Sequence, residues 1–141
     1  MNIELKSLDL SDNILVRCIR IWIRCLDEDR DPFPLLYVVL SSNGINSCEY
    51  LMNAFMSYIV LSDNKEHNFN LLHNGQLTKT EFDILTIMSQ IQVNDFSSID
   101  NQLNKLIDNI YKDKFLINIK HICKKFSQAG LFFEDRNYAI I

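Results

Sequence analysis

Leu77-Thr-Lys-Thr-Glu-Phe-Asp-Ile-Leu85 is the stretch of this sequence that decides the fold. The Thr78 side chain can accept a hydrogen bond from the amide of Glu81, while the Glu81 carboxylate reaches back to the amide of Thr78. Leu77 precedes this capping box and can staple against Phe82. Beyond the box, apolar residues recur at helical spacing, at Ile84, Leu85, Ile87, Met88 and Ile91. The stretch therefore predicts a well-capped, buried helix.

The composition of the whole chain favours more helices of this kind. With 141 residues and 48% hydrophobic residues, the chain can bury a core and is not disordered. Only 3 glycines and 2 prolines leave few tight turns, which argues against a many-stranded sheet. We predict a mainly α fold, a compact bundle of about six helices in one domain, residues 1–141. It divides into a helical half (1–61), an irregular connection (62–76) and a part with capped helices and a tail (77–141). The tail, 131–141, has two short apolar stretches around a polar turn and predicts a small β-hairpin.

Cysteine usage and the N-terminal sequence indicate the compartment. The chain has no apolar run long enough to cross a bilayer, and its first residues lack the basic start and apolar segment of a secretion signal. Its four cysteines are widely spaced among apolar neighbours, which favours buried free thiols over disulfides. They are Cys18, Cys25, Cys48 and Cys123. We expect a cytoplasmic protein with no membrane contact.

Recognisable catalytic and metal-binding patterns are missing from the sequence. There is no nucleophile elbow and no glycine-rich phosphate loop. Neither Cys-x-x-Cys nor His-Glu-x-x-His spacing occurs, and the spacing of His121 and Cys123 puts them on different faces of a helix. We predict from these absences that the protein is not an enzyme and uses no cofactor and no metal.

Arginines recur at helical spacing on the first helix, at Arg17, Arg20 and Arg24, and an acidic cluster follows at residues 27–31. We interpret the two as one internal network of ion pairs, which Arg30 also joins. The alternative is a strip that binds an anion or an acidic partner.

The second half of the chain, from about Asn70 onward, resembles the winged-helix DNA-binding domain of OmpR/PhoB-type response regulators. The residues that match the opening Leu-Thr-x-x-Glu-Phe-x-x-Leu motif of that family are Leu77, Thr78, Glu81, Phe82 and Leu85. The resemblance implies a second helix at residues 98–110 and a recognition helix at 114–128. It also implies a C-terminal wing at 131–141, with Tyr138 near the tyrosine of the family's wing.

Charge is distributed unevenly in a way that agrees with a basic surface on an acidic protein. The net charge is −4, and it divides into −6 for residues 1–99 and +2 for residues 100–141. The predicted last helix carries a basic face opposite its apolar arc, formed by Lys114, Lys120, His121, Lys124 and Lys125. This face could contact the phosphates of DNA. The alternative is a solvated helix face whose lysines complement the helix dipole.

The apolar tail gives the other candidate binding surface. Apolar side chains of this number must pack on the protein's own core or on a partner. The candidate partner-binding residues are Phe132, Phe133, Tyr138, Ile140 and Ile141. We expect a non-enzymatic regulatory or adaptor module that contacts another protein or a second copy of itself. The alternatives are a winged-helix transcriptional regulator that binds DNA and a helical domain whose function the sequence leaves open.

Overall fold

The computed structural model describes residues 3–63, 65–70 and 74–135. Its six α-helices are α1 (Leu10–Asp27), α2 (Phe33–Ser41), α3 (Glu49–Leu61), α4 (Lys79–Gln92), α5 (Ile99–Leu106) and α6 (Lys112–Gln128). Within these ranges there is no β-strand, and a single antiparallel bridge joins Glu4 to Gln76. The prediction of a mainly helical bundle of about six helices is confirmed. Of the predicted hairpin, residues 131–135 have no regular secondary structure, and residues 136–141 lie outside the described part.

Helix α4 begins where the capping box predicts. The backbone amide of Glu81 donates to Thr78 Oγ1 over 3.1 Å, and the amide of Thr78 donates to Glu81 Oε1 over 2.9 Å. From this start α4 contacts α1, α5 and α6. Most of its side chains are buried as a result. The capped stretch of the sequence is thus a largely buried helix that packs on three others.

Glu81 has a second role that corrects the interpretation of the arginine strip. Arg20, which the sequence placed on a polar strip facing residues 27–31, is fully buried and pairs with Glu81 at 2.8 Å. Its guanidinium also donates to the backbone carbonyls of Asn74 and Gln76. The Glu81 carboxylate therefore completes the capping box of α4 and also neutralises the buried Arg20 of α1.

The remainder of the predicted arginine network exists at the surface. Arg24 pairs with Glu28 one helical turn away at 3.3 Å, and Arg30 approaches the same carboxylate at 3.5 Å. Arg17 is exposed. The ion-pair network is confirmed for Arg24 and Arg30 and wrong for Arg20.

One cluster of buried side chains runs through all six helices. The rings of Phe55 and Phe115 stack 5.2 Å apart and join α3 to α6. The indole N–H of Trp22 donates to Asn53 Oδ1 over 2.9 Å and joins α1 to α3. Helix α2 packs on α1 and α3 at the edge of this cluster. None of the described helices combines the length and apolar character needed to cross a membrane.

Candidate functional site

The predicted basic face lies on α6 as the helical periodicity required. Lys114, Lys120, His121 and Lys124 are exposed, and Lys125 is partly buried. The opposite arc of α6 is buried in the core and carries Phe115, Ile119, Ile122, Cys123 and Phe126. Within the described ranges none of the four lysines forms a salt bridge. The face therefore offers unneutralised positive charge to solvent.

A shallow groove lies beside this basic face, between the end of α4 and α6. Its volume is about 440 Å³, and its lining includes the apolar side chains of Ile91 and Phe96 together with Lys120 and Lys124. The Lys120 ammonium lies 5.2 Å from the centre of the Phe96 ring, a cation–π distance. This contact holds the Lys120 side chain against Phe96.

The described part of the apolar tail is divided between solvent and core. Phe132 is 62% exposed, whereas Phe133 is only 6% exposed and its ring centre lies 4.9 Å from that of Phe126. The other three predicted contact residues, Tyr138, Ile140 and Ile141, lie outside the described residues. Phe133 thus packs on the protein's own core, and of the described pair only Phe132 is exposed to solvent.

Gln92, the last residue of α4, holds the beginning of the tail against the bundle. The amide of Phe133 donates to Gln92 Oε1 over 2.7 Å. Gln92 Nε2 lies 3.1 Å from both the Leu131 carbonyl oxygen and Ser127 Oγ. Residues 131–133 therefore run back over the junction of α4 and α6 and not away from it as an extended arm.

The structure also presents an apolar surface that the sequence analysis missed. Helix α2, Phe-Pro-Leu-Leu-Tyr-Val-Val-Leu-Ser, is apolar on every side, yet of its residues only Leu36 and Leu40 are buried. Its outward side carries Tyr37, 57% exposed, and Val38, 59% exposed. We call the exposed side chains at this surface the apolar face: Leu35, Tyr37, Val38 and, from α3, Tyr50.

The two helices contribute to one continuous surface. The Phe33 ring lies one helical turn from Tyr37 and packs at 4.7 Å on the ring of Tyr50, which is 71% exposed. The sequence carried a signal for this surface, because Glu49 is the single charged residue between Pro32 and Leu61. Depletion of charged residues together with exposed aromatic residues is typical of the central part of protein interfaces.

Other polar groups of the molecule are engaged in holding the fold. A cavity of about 890 Å³ between residues 65–68, the start of α4 and the end of α5 is lined by both basic and acidic side chains and by His67. His67 Nε2 lies 2.8 Å from the Leu106 carbonyl oxygen, and Asn68 binds Thr80 at the start of α4. These contacts anchor the connection, and we assign no ligand to the cavity.

The remaining groups that could bind a metal or act as nucleophiles are a cluster of carboxylates and the cysteine thiols. Carboxylate oxygens of Asp9, Asp12 and Glu134 lie within 4.8 Å of one another, an arrangement of acids that is common without a cation. The thiols are free and buried. Burial raises the pKa of Cys48 to about 12 and that of Cys123 to about 12. At neutral pH these thiols are protonated and poorly nucleophilic.

No protein-family model, curated protein or solved structure matches this chain.

Proposed function

We propose that this chain is a non-enzymatic regulatory or adaptor module that docks another protein through its apolar face. The observation that supports this function is α2, a helix apolar on all sides with only Leu36 and Leu40 buried. A helix of that composition normally lies inside a protein, because exposed apolar area costs free energy in water. A partner that covers the outward side of α2 removes this cost. We also propose a cytoplasmic location, because the cysteines are free and thiols stay reduced in the cytoplasm.

Site-specific photo-crosslinking in living cells of the source organism tests the proposal. Benzoylphenylalanine in place of Tyr37 should give a discrete adduct of higher mass on irradiation, because position 37 would be covered by the partner. Replacement of Asn101, an exposed residue of α5, is the matched control and should give none. Failure of position 37 to form any adduct, or equal adducts from both positions, would refute the docking function.

A surface substitution gives an independent check of the same surface. Tyr37→Glu places a charge in the apolar face and should abolish the adduct formed by benzoylphenylalanine at position 50. Because the Tyr37 side chain is mostly exposed, the thermal midpoint should stay within the small range of ordinary surface substitutions. An undiminished adduct would show that Tyr37 is not part of the contact.

DNA binding is a second candidate function, which the exposed basic face of α6 favours. Lysines on one side of a helix can follow a phosphate backbone, with a contribution from each contact that weakens as salt rises. The net charge of −4 opposes non-specific binding. The face carries no arginine or asparagine for reading bases, so we propose phosphate contacts without sequence discrimination.

An electrophoretic shift assay with mixed-sequence duplex decides this second function. The chain should retard the duplex at low salt and release it as salt rises. The triple variant Lys120→Ala, Lys124→Ala and Lys125→Ala should lose the shift, while Lys65→Ala, Lys79→Ala and Lys105→Ala removes the same charge elsewhere and should keep it. With no shift at micromolar protein, the DNA function fails.

A further inference from the structure

The apolar face borders a strongly acidic turn, which we define as residues 27–31, from the last residue of α1 to the approach to α2. Asp31 Oδ1 accepts a hydrogen bond of 3.0 Å from the amide of Phe33, the first residue of α2. The Phe33 ring in turn packs on Tyr50. The Asp31 carboxylate therefore lies next to the edge of the apolar face, and Asp29 and Asp27 precede it in the same turn.

Most of the charge of this turn is not neutralised by the chain itself. Glu28 takes both nearby cations, Arg24 at 3.3 Å and Arg30 at 3.5 Å. Asp27, Asp29 and Asp31 are exposed, and none of them forms a salt bridge with the described residues. Part of this acidity has a local use, because Asp29 adopts a positive φ of 53° after α1 and Asp31 accepts a hydrogen bond from the first amide of α2. Asp27 has no such role among the described contacts.

A second copy of the chain that docks through the same surface, as in a symmetric dimer, is a poor occupant. It would bring a second acidic turn and a further net charge of −4 to the same contact, and like charges across an interface disfavour association. Neither α2 nor the loop after it carries a cation to offset that repulsion. The charge pattern favours an occupant of the opposite sign.

We propose that the docked partner presents an amphipathic helix whose apolar side covers Tyr37, Val38 and Tyr50 and whose lysines or arginines contact Asp27 and Asp29. This inference rests on the docking function proposed above and adds the chemistry of the partner. Apolar burial supplies most of the affinity, and the acidic turn selects and orients a basic segment and accelerates its association.

Two synthetic helical peptides of about four turns serve as probes, one with leucine on one side and lysine on the other, and one with glutamate in place of lysine. Fluorescence anisotropy should detect binding of the lysine peptide, with affinity that falls as salt rises. The glutamate peptide should bind at least about tenfold more weakly. Equal binding of both peptides, or no binding of the lysine peptide, overturns the inference.

Charge-neutralising variants locate the contact. Asp27→Asn with Asp29→Asn should weaken the lysine peptide about tenfold and leave the thermal midpoint nearly unchanged. Asp63→Asn with Asp113→Asn removes two exposed charges, one just after α3 and one in the first turn of α6, and should change nothing. Tyr37→Glu should abolish binding of the lysine peptide. Equal effects of the two Asp pairs would show non-specific attraction and overturn the inference.

The crosslinking experiment separates this inference from the docking function on which it rests. An adduct at position 37 that persists in the Asp27→Asn, Asp29→Asn variant leaves docking intact and refutes the basic partner. An adduct of twice the 16.5 kDa chain identifies a second copy and likewise refutes it. A missing adduct refutes the docking function itself.

Discussion

Arg20 lies in the interior because its guanidinium is supplied with acceptors there. Its Nε and Nη2 donate to the two oxygens of Glu81 over 2.8 and 2.9 Å, and Nη2 also donates to the Gln76 carbonyl over 2.7 Å. A buried charge is tolerated only when such partners replace its hydration. This one side chain therefore links α1, the segment before α4 and the start of α4.

Arg20→Ala should destabilise the protein by about 3–5 kcal/mol, since it leaves the Glu81 carboxylate buried without its cation. Arg24→Ala is the control on the same helix. Its pair with Glu28 is exposed, so the loss should be at most about 1 kcal/mol. Urea unfolding followed by circular dichroism measures both. Similar losses for the two variants would contradict the structural role of the buried pair.

At the scale of the element, the capping box decides where α4 begins. Thr78 Oγ1 accepts from the Glu81 amide at 3.1 Å and donates to the Asn68 carbonyl at 2.8 Å. One hydroxyl thus satisfies an otherwise orphaned amide of the helix and ties residues 65–70 to its first turn. The cap fixes the connection as well as the helix.

Thr78→Ala should destabilise the protein by about 0.5–2 kcal/mol, because the Glu81 amide loses its acceptor. Thr78→Ser retains the hydroxyl and should retain most of the stability. Amide hydrogen exchange should rise in the first turn of α4 in the alanine variant and stay near the parent value in the serine variant. Equal stabilities for alanine and serine would mean that the cap contributes little.

At the scale of the whole molecule, the burial of thiols makes the stability of the protein decrease at alkaline pH. Cys18, Cys48 and Cys123 come from different segments and are buried in one core. Burial raises the pKa of all three thiols, to about 12 for Cys48 and to about 12 for Cys123. The unfolded thiols ionise near pH 8.5. Above that pH the unfolded chain releases protons that the folded chain keeps. The contribution of the three thiols to the free energy of unfolding is therefore fully present below about pH 8.5 and falls as pH rises.

Cys48→Ala should flatten this dependence. Each buried thiol contributes a slope approaching about 1.4 kcal/mol per pH unit once the unfolded thiol is ionised. Urea midpoints between pH 7.5 and about 10 should therefore fall less steeply in the variant than in the parent, although the variant is less stable at pH 7.5 because of the cavity. Parallel curves would contradict the raised pKa of the Cys48 thiol.

The mainly helical fold and the start of α4 follow from local information that the sequence contains. A capping box and a 3.6-residue period are interactions between near neighbours, so they identify α4 and both arcs of α6 without knowledge of the rest. The exposure of Lys120 and Lys124 was predictable in the same way. Their function was not, since a basic face is common to solvated helices and to binding helices.

Tertiary contacts decided which side chains are buried. Helical spacing predicts a surface position for Arg20. Its buried position is favourable because Glu81, 61 positions later in the chain, packs beside it and pairs with its guanidinium. The apolar residues of α2 belong to the core by composition, but a short helix at the edge of the bundle has core on one side only, so Tyr37 and Val38 remain outside. The sequence by itself determined the helices and their polar and apolar residues; the packing of those helices determined which charge was buried and which apolar side was left to solvent.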